Sequence, residues 1–148
     1  MKNEVSRRSK KGFTLIELMA VIGVMGLLMA VVLIGASSSR KTAQISTTAQ
    51  QIQLIYSACH AWVGNGRVNY TGITLPGLQN AGYLPTTLNS PYGGTYTVAV
   101  NATDATQVDV SITKIPDQAT HDEIASALSS ITKSATYTTS SKTSKFSF

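Results

Sequence analysis

The sequence predicts an α+β fold: a long N-terminal α-helix, hydrophobic in its first half and amphipathic in its second, packed on a small antiparallel β-sheet. Three observations predict it. Phe13–Ala36 is a 24-residue run whose only charge is Glu17. No proline interrupts the chain from Phe13 to Leu75. Past the middle of the chain, two short segments alternate apolar and polar residues as half-buried strands do. A length of 148 residues supports one ordinary domain and leaves no room for a second sizeable core.

The helix comes first. Leu18–Ala36 holds 19 uncharged residues, and a helix of that length spans ~28 Å, close to the ~30 Å hydrocarbon thickness of a bilayer. Five basic residues (Lys2, Arg7, Arg8, Lys10 and Lys11) precede the run, while Arg40 and Lys41 follow it closely. The positive-inside bias therefore places the N-terminus in the cytoplasm and the remainder outside. A secretory signal cut near Ala36-Ser37-Ser38 is the competing reading, but its apolar region normally runs to only ~7–15 residues. Beyond Lys41, apolar residues recur at Ile45, Ala49, Ile52, Tyr56, Cys59 and Trp62–Val63, the spacing of an amphipathic helix. Gly64-Asn65-Gly66 supplies the stop. Gly23, Gly26 and Ala30 fall on one narrow strip, which permits close approach of another helix.

Residues 64–94 read as a turn-rich connector with at most one short helix, between the proline and glycine punctuation of Leu75–Pro85. Tyr83 and Leu84 are expected to cover the long helix. Thr95–Val100 alternates around Tyr96, Val98 and Val100, and Gln107–Thr113 around Val108, Val110 and Ile112. With Asn101–Thr106 between them, these segments predict an antiparallel hairpin. Pro116 and Asp117 start a helix, with Thr120 and Glu123 spaced as a capping box and Ile124, Ala127, Leu128 and Ile131 as its apolar face. The Ser/Thr/Lys-rich tail from Ser134 reads either as a last strand around Ala135–Thr139 or as partly frayed, with fraying expected beyond Ser140.

Glu17 is the anomaly in the apolar run, because an ionised carboxylate there needs a partner or a purpose. The residues around it are distinctive: Lys10-Lys11-Gly12-Phe13-Thr14-Leu15-Ile16-Glu17-Leu18. A basic pair, a glycine, an apolar residue and a carboxylate four residues later, all ahead of a long apolar helix, resemble the processing site of the type IV pilin superfamily. The resemblance implies cleavage by a membrane-bound prepilin peptidase after Gly12, N-methylation of the new terminal residue Phe13, and an assembly role for Glu17. It also implies a pilin-like fold in three parts. Residues 1–12 are a cleaved leader, 13–39 a transmembrane and fibre-core helix, and 40–148 an extracytoplasmic domain that includes the amphipathic half of the helix.

Charge arithmetic agrees with a leader. Residues 1–12 carry five Lys/Arg against Glu4, a net +4, and residues 13–148 carry seven against six, a net +1. The basicity belongs to the first dozen residues, so no strong nucleic-acid binding is expected of the body. Cleavage creates an α-amine on Phe13, four residues from Glu17 on the same helix face, which suits pairing within the chain or with Glu17 of a neighbour.

No catalytic constellation stands out. His60 and His121 read as structural or solvent-facing, Asp117, Asp122 and Glu123 as favourably placed acids near a helix N-terminus, and Cys59 as a buried apolar residue. No enzyme activity, metal or cofactor is expected. One cysteine excludes the two-cysteine C-terminal loop of many pilins. The expected function is therefore structural. A subunit waits in membrane lipid and is received by the prepilin peptidase and the inner-membrane assembly machinery. It then joins copies of itself in a helical fibre at the cell surface. A pseudopilin or minor pilin that primes assembly, and an anchored extracytoplasmic binding domain that never polymerises, are the alternatives. Phe13 resembles the IVa branch, while the leader length and Gly23/Gly26 resemble IVb, and the branch stays open.

Overall fold

A computed structural model describes residues 13–148, with the side chains of residues 34–37 excepted. The element order is α1 (Leu15–Gly64), α2 (Leu75–Asn80), β1 (Tyr96–Val100), β2 (Val108–Ile112), α3 (Gln118–Ala127), β3 (Ser134–Thr138) and β4 (Thr143–Ser147). The chain divides into two compact units, one ending at Ser39 and one running from Arg40 to Phe148. The expected α+β layout, a long N-terminal helix followed by a small antiparallel sheet of pilin-like form, is what the structure has.

In the first unit the described apolar side chains of α1 are exposed on every side. Leu15, Ile16, Leu27 and Leu33 each keep 70% or more of their surface open. A helix apolar all round belongs in lipid or in a helix-packed core, and by length and composition α1 is able to cross a membrane.

In the second unit, α1 contributes Ile45, Thr48, Ala49, Ile52, Ile55, Ala58 and Cys59 to the buried core. The predicted stripe is broader than expected: Ile55 is fully buried and Tyr56 only half-buried. Thr48 enters this apolar face because its hydroxyl donates to the Gln44 carbonyl at 2.8 Å, which satisfies it locally. The helix stops where Gly66 takes φ +87°, a left-handed conformation that glycine adopts without strain.

The four strands form one antiparallel sheet in the order β1-β2-β4-β3. The predicted hairpin is present, with Val98 opposite Val110 and Tyr96 opposite Ile112, and Val108, Val110 and Ile112 are fully buried. The connector contains the single short helix α2, whose Leu78 is buried, and Leu84 is buried beside it.

The tail departs from the expectation of fraying. It forms β3 and β4, joined through a turn with Lys142 at φ 48°, and β4 lies inside the sheet between β2 and β3. The cause is two aromatic anchors. Phe146 is fully buried and Phe148 nearly so, with Phe148 stacked on Tyr56 at a centroid distance of 4.6 Å. A Ser/Thr/Lys-rich average conceals two residues that supply most of the tail's burial.

α3 also differs in detail. Its cap is Asp117, whose Oδ1 accepts from the Thr120 N–H at 2.7 Å, so Thr120 sits inside the helix and not at its cap. Its inward face is Thr120, His121, Ile124 and Leu128, with Ala125 partly buried and Ala127 exposed.

Candidate functional site

Of the residues singled out at the N-terminal end, Gly12 lies outside the described residues, whereas Phe13 and Glu17 are both described. Phe13 precedes the helix and is 86% exposed. Thr14 stands at the N-cap of α1, with its carbonyl accepting from the Leu18 N–H at 3.2 Å. Its main-chain N–H and its hydroxyl each donate to Glu17 Oε2 at 2.9 Å, and the Glu17 N–H returns a bond to Thr14 Oγ1 at 3.3 Å.

This is a reciprocal capping box. The cap side chain satisfies an orphan N–H of the first turn, and the third helical residue reaches back to the cap. Glu17 thus has a local partner in Thr14, which reading Glu17 as an isolated anomaly overlooked. The signal was present in the sequence, because Thr14-Leu15-Ile16-Glu17 has the Thr-x-x-Glu spacing. Both bonds to the carboxylate fall on Oε2, and among the described residues Oε1 accepts none. The box holds a carboxylate at the positive end of the helix dipole with one oxygen open.

Beyond this turn, Ala20, Val21, Val24, Met25 and Leu28 border a shallow apolar hollow on α1. At Gly23 and Gly26 the space that a Cβ would occupy is open. The arrangement is one acidic, hydrogen-bonded helix start followed by a wholly apolar rod.

The residues weighed for other chemistry have separate local partners. Asp117 caps α3, Asp122 Oδ1 accepts from Gln118 Nε2 at 2.8 Å, and Glu123 pairs with Lys41 at 3.1 Å. Cys59 is fully buried, and burial pushes its thiol up to about 12, so it stays a neutral apolar group. His60 is exposed, with Nδ1 3.4 Å from the Tyr70 hydroxyl. His121 is buried between the rings of Tyr137 and Phe146.

Asp109 was not anticipated. It lies on the sheet face opposite the core, yet it is only 5% exposed, under Lys145. Lys145 Nζ approaches Oδ2 at 2.7 Å, and Ser147 Oγ and Asn101 Nδ2 donate to Oδ1 at 2.6 and 3.0 Å. Burial raises its pKa, but the bonds from Lys145, Ser147 and Asn101 outweigh burial and leave the carboxyl below its usual range. Two donors on β4 and one just past the end of β1 make it a structural pin for the sheet.

Residues 7–33 match the family model described as the prokaryotic N-terminal methylation motif. No significant match exists among curated proteins or solved structures.

Proposed function

Because the chain carries the type IV prepilin signature at the start of a long apolar helix, we propose that it is a structural subunit of an extracellular type IV pilus-like fibre. In this reading prepilin peptidase cuts after Gly12, Phe13 becomes the N-methylated terminus, and the subunit polymerises through α1 after waiting in the inner membrane with its N-terminus cytoplasmic. The observation that carries the reading is the matched motif over residues 7–33, a span that contains Gly12, Phe13 and Glu17, the residues proposed for processing and assembly.

The chemistry of the first turn supports it. Removal of the +4 leader exposes an amine on Phe13 that is largely protonated at neutral pH. In a low-dielectric bundle this cation and the Glu17 carboxylate each need a counter-charge, and pairing between neighbours supplies attraction and register together. The capping box keeps the carboxylate hydrogen-bonded before assembly, so the lone subunit does not carry a bare anion. Its open Oε1 is the atom that receives a neighbour's amine.

The same signature serves pseudopilins and minor pilins, from which a major subunit differs by making up most of an abundant fibre. Intact-mass measurement of the membrane-extracted protein tests processing. The mass of a chain starting at Phe13 with one added methyl group is expected. A chain that retains Met1, or one that starts near Ser37–Ser39, contradicts the proposal.

A further inference from the structure

We infer that Asn65-Gly66 is a site of spontaneous deamidation, at which the protein acquires a new negative charge as it ages. Asn65 is the one asparagine in the sequence followed by glycine. Both residues lie exposed just past the end of α1. Gly66 holds φ +87° with open space where a Cβ would stand, and among the described residues its N–H donates to no main-chain carbonyl. The nucleophile is therefore unshielded, both sterically and by hydrogen bonding. Among the described residues the Asn65 amide nitrogen, which becomes the leaving group, donates to the Tyr83 hydroxyl alone, at 3.1 Å.

The step balances without an oxidant, reductant or cofactor. The Gly66 nitrogen attacks Asn65 Cγ, the Cγ–Nδ2 bond breaks, and ammonia leaves with the proton that Gly66 gives up. Water then opens the resulting succinimide at either carbonyl, giving aspartate or isoaspartate. Base assists the first step, because it removes the glycine N–H proton.

No other asparagine combines these features, since none is followed by glycine. Asn69 precedes Tyr70, whose N–H is committed to the Ala105 carbonyl at 3.1 Å. Asn80 precedes Ala81, whose N–H donates to Gly77 O at 3.1 Å. Asn101 precedes Ala102 and has both ends of its amide engaged, with Nδ2 on Asp109 and Oδ1 accepting from the Thr103 and Asp104 N–H groups. A side chain on the following residue also hinders ring closure, which glycine does not.

The new carboxylate appears two residues before Arg67, whose guanidinium lies 3.8 Å over the Trp62 ring and donates to the Trp62 carbonyl at 3.3 Å. Deamidation neutralises the loop's one cation, and the isoaspartate form also lengthens the main chain at the helix end. Old and new copies of the protein thereby differ in charge at one exposed loop.

The test uses full-length protein in detergent, incubated at mildly alkaline pH and mapped by peptide mass spectrometry against a free peptide spanning residues 61–70. Conversion of Asn65 to aspartate and isoaspartate is expected, with the Asn101 peptide unchanged. Asn65→Gln, which leaves the Gly66 turn intact but cannot close the five-membered ring, should lose the product, as should Gly66→Ala. An unchanged Asn65 while the free peptide converts, or Asn101 converting as fast as Asn65, overturns the inference.

Discussion

Glu17 receives two hydrogen bonds from Thr14 within its own chain, so its replacement acts on the helix start as well as on any partner. Glu17→Val is expected to abolish fibres while membrane insertion persists, because it only lengthens the apolar run. Membrane-fraction protein and sheared fibre, measured separately in cells lacking the wild-type copy, check this. Thr14→Val separates the two roles. It keeps the carboxylate for a neighbour but removes the hydroxyl, so fibre yield should fall less than with Glu17→Val.

Two further residues contribute to the response to acid. The folded carboxyl of Asp109 sits below the unfolded value of ~3.9, so its stabilisation is full above that pH and is lost as pH falls through the folded value. Asp109→Asn should flatten that acid limb and cost about 1–3 kcal/mol at neutral pH, read from urea unfolding. His121 behaves as a buried base. Burial lowers its pKa, with Asp122 opposing, so the unfolded chain takes up the proton first and stability declines as pH falls through the unfolded value of ~6.5. His121→Phe should remove that decline and leave the lower limb from Asp109 in place.

At the level of elements, the tail hairpin rests on Phe146. Truncation to alanine should cost about 3–5 kcal/mol, measurable as a shift of the urea midpoint. The start of β1 rests on Gly94, because a Cβ there would strike the Thr113 carbonyl, and Gly94→Ala should therefore lower the midpoint as well. These two positions mark what the sequence could and could not tell. The first hairpin was legible because Val98, Val108, Val110 and Ile112 alternate cleanly and nothing competes with a period of two. β4 was not, because Thr143-Ser144-Lys145-Phe146-Ser147 has a single large apolar residue, and its place inside the sheet depends on partners on both sides. The same limit hid Asp109, whose burial comes from Lys145 and Ser147 on β4, a strand that local pattern did not reveal. At the N-terminal end the methylation motif was legible in the sequence, but the link between Thr14 and Glu17 is a matter of capping and was missed while Glu17 was considered alone.

For the whole molecule, polymerisation is proposed to rest on the apolar part of α1 and folding on the unit from Arg40 to Phe148. A chain beginning at Lys41 keeps the buried stripe from Ile45 to Cys59 and should be soluble and monomeric by analytical ultracentrifugation. With six basic and five acidic residues it carries +1, too little for strong binding to duplex DNA through phosphates. A salt-insensitive affinity for DNA would contradict the assignment. That this chain, processed after Gly12, builds a fibre is the proposal on which the rest depends. Mass spectrometry of fibres sheared from the cell surface and verified by electron microscopy addresses it most directly. Filaments in which this chain predominates and begins at methylated Phe13 are expected; cells that hold the processed chain in their membranes yet yield no filament containing it would overturn the proposal.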